Sequence, residues 1–68
     1  MIPVQSSSLK SVGYDPATHQ LLIVFHSGSS YRFSNVPEQK YRALMQAASK
    51  GSYFSHNIKE QYPTYKIR

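Results

Sequence analysis

The chain reads as a small α+β domain: a three-stranded antiparallel meander, one amphipathic helix packed on a face of the sheet, a short second helix, and a final strand at the sheet edge. Three observations predict this. Residues 20–25 form an apolar-rich alternating run. At Val36-Pro37 the apolar spacing changes from that of a strand to that of a helix. Alternation then returns at Tyr62-Pro63-Thr64-Tyr65-Lys66-Ile67-Arg68.

Leu9 to Tyr14 mixes β-favouring and small residues and stops at Asp15-Pro16, where Asp bonds its own backbone and Pro presets φ, so a first strand ends in a turn. From Gln20, Leu21, Ile23 and Phe25 share one face while Leu22, Val24 and His26 share the other, which suits a central strand. His26-Ser27-Gly28-Ser29-Ser30 is a loop of hairpin length, and Tyr31, Phe33 and Asn35 continue the alternation on a third strand. Asn35 is placed to cap a helix, with Glu38 reciprocating, and the restriction before proline makes Val36 the alternative boundary. Within that helix Tyr41, Leu44, Met45 and Ala48 share a side opposite Gln39, Arg42, Gln46 and Lys50, and Glu38 is one turn from Arg42. Gly51 is expected to end it in a left-handed conformation, and Ser52 to cap a short helix carrying Phe54 and Ile58. Pro63 cannot donate to a ladder, so the last segment is expected to begin an edge strand. Strand order is left open.

Sixty-eight residues allow a single domain, 1–68, with residues 1–5 expected to be a flexible N-terminus. A chain of this size buries only roughly 60% of the surface its unfolded form exposes. With no cysteine, neither a disulfide nor a thiolate metal site reinforces it, and apolar packing carries the fold. The N-terminus lacks both a basic segment and a continuous apolar run, and Leu21 to Phe25 is too short to span a bilayer. The expectation is a cytoplasmic protein without a membrane partner.

No residue pattern demands chemistry. Ser7 and Lys10 have Ser-x-x-Lys spacing, but the Ser-Asp-Asn and Lys-Thr-Gly motifs that complete such a site are missing. His19, His26 and His56 lack the spacing of a helical metal pair, and Asp15, Glu38 and Glu60 are scattered. Gly28 among serines is a turn, since phosphate-binding loops need several fixed glycines and a following helix. The expectation is a protein that is not an enzyme and holds no cofactor or metal.

Ser7-Ser8, Gly13-Tyr14-Asp15, Leu21-x-Ile23-x-Phe25, Gly28, Tyr31-x-Phe33, Val36-Pro37, Tyr41-x-x-Leu44 and Ser49-x-Gly51-x-Tyr53-Phe54 follow one another in an order that resembles the KTSC domain. This small bacterial and phage family is named for the C-terminus of some lysyl-tRNA synthetases. The resemblance covers nearly the whole chain. The family's central motif is Tyr-x-Tyr, and Phe33 stands at its second tyrosine, so a phenol's chemistry is lost there while packing or stacking is retained. The synthetase fusion implies RNA as a partner.

Two functional readings stand side by side. The net charge of +5 favours anionic partners, and the excess lies in the second half, where Lys40, Arg42, Lys50, Lys59, Lys66 and Arg68 face only Glu38 and Glu60. In the RNA reading these six cations contact phosphates, while Arg32 with an exposed tyrosine, Tyr31 or Tyr65, contacts bases. In the other, the domain binds a protein or itself through the edge near Tyr65 or the Leu22 and Val24 row. Phe25, Phe33, Phe54 and Tyr41 are assigned to the core with Leu21, Ile23 and Leu44, whereas Tyr31 is left between core and surface. The inner sheet face combines Leu21, Ile23, Phe25, Tyr31 and Phe33 with Tyr41, Leu44 and Ala48. The outward Leu22 and Val24 need a cover: the terminal strand, the short helix or another copy.

Overall fold

In the computed structural model, which describes residues 2–68, the central strand β3 (Gln20–Phe25) lies between β2 (Leu9–Asp15) and β4 (Ser30–Phe33). At the flanks, β1 (Ile2–Pro3) pairs with β2 and β5 (Thr64–Lys66) with β4. The result is a five-stranded sheet whose order follows the chain and whose pairings are all antiparallel. Strand β1 is new relative to the sequence reading: where a flexible N-terminus was expected, Ile2 pairs with Val12 and Pro3 with Ser11. Two residues with a proline give no period to read. Met1 lies outside the described residues.

Local chemistry sets the turns. After β2, Asp15 Oδ1 accepts the Ala17 amide at 3.0 Å, the side-chain turn that Asp-Pro favours. Between β3 and β4, the Gly28 amide donates to Phe25 O at 2.9 Å, with Gly28 at φ 96°, a conformation that strains residues bearing a Cβ. The third strand stops at Phe33, short of the expected Asn35. Asn35 instead takes φ 62°, turning the chain away from the sheet.

Helix α1 (Glu38–Gln46) is capped by Pro37 with no side-chain hydrogen bond, so neither Asn35 nor Val36 caps it. Glu38 in its first turn suits the helix dipole and reaches Arg42 at 2.6 Å. The helix ends earlier than expected: Ala47 is already extended, Ala48 is exposed, and Gly51 is not its terminator. Ser49 starts α2 (Lys50–Asn57), its Oγ accepting the Ser52 amide at 3.3 Å, so the cap lies three residues before the expected Ser52. Gly51 falls inside α2, where a Cβ would sit 3.4 Å from Ser8 Oγ. Splitting one helical run into two lets Leu44 of α1 and both Phe54 and Ile58 around α2 reach the same core.

That core joins Leu9, Val12, Leu21, Ile23, Phe33, Val36, Leu44, Phe54 and Ile58, all buried. Phe54 meets Phe33 and Phe25 edge-on, at centroid distances of 5.3 and 5.6 Å. Both helices therefore cover one face of the sheet, the face of Leu21, Ile23 and Phe33. Leu22 and Val24 on the other face stay half-buried, and neither α1 nor α2 places a buried side chain against them.

Candidate functional site

Paired residues of adjacent antiparallel strands share a face, so the register defines the helix-free surface row by row. One row crosses Gly13, Leu22, Arg32 and Tyr65, and the next crosses Ser11, Val24 and Ser30. Gly13 contributes no side chain, which leaves backbone beside Leu22. Past β5 the C-terminal residues stay attached, since the Ile67 amide donates to Ser30 O at 2.7 Å. A depression of about 430 Å³ opens here, with Lys10, Leu22, Val24, Ser30, Ile67 and Arg68 in its wall. Lys10 reaches it because the β2 to β3 register slips between Leu9 and Ser11, placing Lys10 at the irregularity.

Arg32 and Tyr65 are the chemical centre of this face. The guanidinium carbon stands 5.0 Å from the centroid of the Tyr65 ring, a cation–π contact. Arg32 Nε is buried without a hydrogen-bond acceptor, and among the described residues no carboxylate forms an ion pair with this side chain. Its terminal nitrogens are not among the buried unpaired atoms, so they are open to an acceptor from outside. Tyr65 is 59% exposed and Ile67 53%, so an apolar strip with cations at its centre and margin faces solvent.

The residues singled out in the sequence do not converge. Arg32, Tyr65 and Arg68 share the helix-free face. Tyr31 is on the opposite side, half-buried with its ring edge-on to Phe25 at 5.6 Å, and Lys66 is its register partner. Lys40 and Arg42 belong to α1, where Glu38 already holds Arg42; Lys50 opens α2 and donates from Nζ to Ala47 O at 3.2 Å. Lys59 borders a second cleft on the helix side, about 620 Å³, floored by Phe25, Tyr31, Phe33 and Phe54. Lys10 was missed. Its signal was the Lys-Ser step after the apolar Leu9, but only the strand irregularity turns it toward Arg68.

His56 Nδ1 donates to Ser52 O at 2.8 Å within its own helix, while His26 Nε2 donates at 2.9 Å to Ser6 O in the segment before β2, so each ring is engaged with backbone. Among the described residues no three His, Cys, Asp or Glu side chains gather where one ion would reach them. Among the described residues no helix is long and apolar enough to cross a membrane.

Comparison with known proteins agrees with the architecture. The KTSC domain family model matches residues 5–62. A protein of Stutzerimonas stutzeri is 42% identical over 64 residues, which span 94% of this chain and 90% of that protein. A lysine–tRNA ligase of a Nostoc species is 37% identical over 62 residues, 91% of this chain but 11% of the ligase. The crystal structure of a KTSC domain protein from Yersinia pestis matches with a TM-score of 0.94 at 39% identity, covering 97% of this chain and 93% of that one.

Proposed function

The chain belongs to the KTSC domain family, and from that premise we propose that it is a non-enzymatic, cytoplasmic module that binds single-stranded RNA on the helix-free face of its sheet. The observation that carries the reading is Arg32, half-buried over Tyr65 with no acidic partner among the described residues. A single strand offers what this surface lacks: flat bases to cover Leu22, Val24, Ile67 and the open side of Tyr65, and phosphates for Lys10 and Arg68 at the margin. Stacked duplex bases expose no such faces. The match to a segment of the Nostoc lysine–tRNA ligase, named for a tRNA, supports the same class of partner.

Self-association through this face is favoured by the exposure of Tyr65 and Ile67 but opposed by charge. A two-fold face-to-face dimer would bring Lys10, Arg32 and Arg68 of one copy toward the same cations of the other. A titration across a salt series against single-stranded RNA, duplex RNA and tRNA tests the proposal. Affinity for the single strand that falls with salt is expected. Salt-insensitive self-association, with no RNA affinity at low salt, would leave the interaction module as the reading.

A further inference from the structure

Resting on that reading, we infer that Arg32 is a base-reading residue and that the sheet face prefers a guanine at the position it contacts. Arg32 is in the row of Leu22 and Tyr65, inside the apolar strip, whereas Lys10 and Arg68 border the depression beside it. A phosphate over Leu22 would lose hydration without gaining apolar contact, while a base there covers the strip with its flat face. Phosphates therefore go to the margin and a base edge to Arg32.

The ring of Tyr65 beneath the guanidinium, 5.0 Å from its carbon, restrains the fork before ligand arrives. Its N–H donors form a planar array that matches two acceptors side by side. On a single strand two edges give that pattern, O6 with N7 of guanine and O2 with N3 of cytosine, whereas adenine and uracil set a donor beside each acceptor; the larger purine covers more of the apolar strip, which favours guanine. On a single strand this edge is accessible, as it is not in the deep groove of an RNA duplex. No carboxylate among the described residues competes for the fork, and Asp15 at the far end of β2 already accepts the Ala17 amide.

The test uses the intact chain and short uridine oligomers bearing one central variable base, which avoids guanine quadruplexes. Guanine is expected to bind roughly tenfold or more tightly than adenine or 7-deazaguanine, which lacks the N7 acceptor. Inosine, which keeps O6 and N7, should match guanine, and cytosine should bind more weakly; cytosine matching or exceeding guanine would overturn the inference in favour of an O2 and N3 edge. Arg32→Lys keeps the charge but loses the fork, and should abolish the preference while the fold, checked by circular dichroism, persists. Equal affinity for all these oligomers, with salt dependence intact, would overturn guanine reading and leave RNA binding standing. Loss of affinity on inosine substitution but not on 7-deazaguanine substitution would also overturn it, by assigning recognition to another edge. No binding to any oligomer at low salt would remove both this inference and the RNA reading beneath it.

Discussion

Tyr14 lies flat against Tyr41, ring centroids 4.8 Å apart and planes 9° from parallel, while its hydroxyl donates to Val36 O at 2.6 Å. This pair ties β2 to the start of α1 and to the segment leading into it. Burial, followed by the nearby charges of Glu38 and Asp15, raises the Tyr14 phenol above its ordinary value. The folded chain thus holds the proton after the unfolded chain has released it. The contribution is complete below the unfolded value of about 10 and is lost as pH climbs through the folded one. The urea midpoint of the wild type should fall more steeply above about pH 10 than that of Tyr14→Phe; parallel curves would show that Tyr14 has no part in alkaline unfolding.

Leu44 is the buried residue of α1, and Gln46 on the same helix is exposed. Leu44→Ala should cost about 2 to 5 kcal/mol, a large share of the stability of so small a domain. Gln46→Ala should stay within about 0.5 kcal/mol. Urea unfolding of both variants checks the contrast.

Tyrosines 31 and 65 should separate by observable. Tyr65→Ala removes an exposed ring and should reduce single-stranded RNA affinity by about 1 to 3 kcal/mol with little change in unfolding. Tyr31→Ala removes a half-buried ring packed on Phe25 and should destabilise the fold by about 1 to 3 kcal/mol, less than a fully buried ring would. The reverse pattern would move the stacking surface to the helix-side cleft.

Cations should divide by face. Lys10→Gln and Arg68→Gln should each flatten the slope of log affinity against log salt by roughly 0.7 on single strands, one phosphate contact apiece. Arg42→Gln, already paired with Glu38, and Lys66→Gln, beside Tyr31, should leave the slope nearly unchanged. Equal effects from all four would mean diffuse charge attraction rather than a defined surface.

What was legible in the sequence was local. The alternation of Leu21, Ile23 and Phe25 against Leu22 and Val24 marked β3, and Asp15-Pro16 and Gly28 marked its turns, because each signal is carried by adjacent residues. The end of α1 was not legible. Ala47 and Ala48 favour helix intrinsically, while Ser49 caps the next helix and the break lets Phe54 and Ile58 reach the core. The site was half legible: Arg32 and Tyr65 were both named, but their contact depends on the β4 to β5 register. Tyr31 and Arg32 alternate along one strand, so which of the two faces solvent depends on where the helices dock.

The order of the strands has a kinetic consequence. Strands β1 to β4 are joined by short connections, so their pairing closes small loops, whereas β5 returns to β4 only after the excursion through residues 34–63. Closing that loop is the costly event, and β5, a short exposed edge, should be the last strand to dock and the first to fray. Lys10 and Arg32 belong to the early meander, while Tyr65 and Arg68 arrive with the late strand. A ligand that bridges the two groups would selectively slow amide hydrogen exchange in residues 64–66, making β5 a built-in reporter of occupancy.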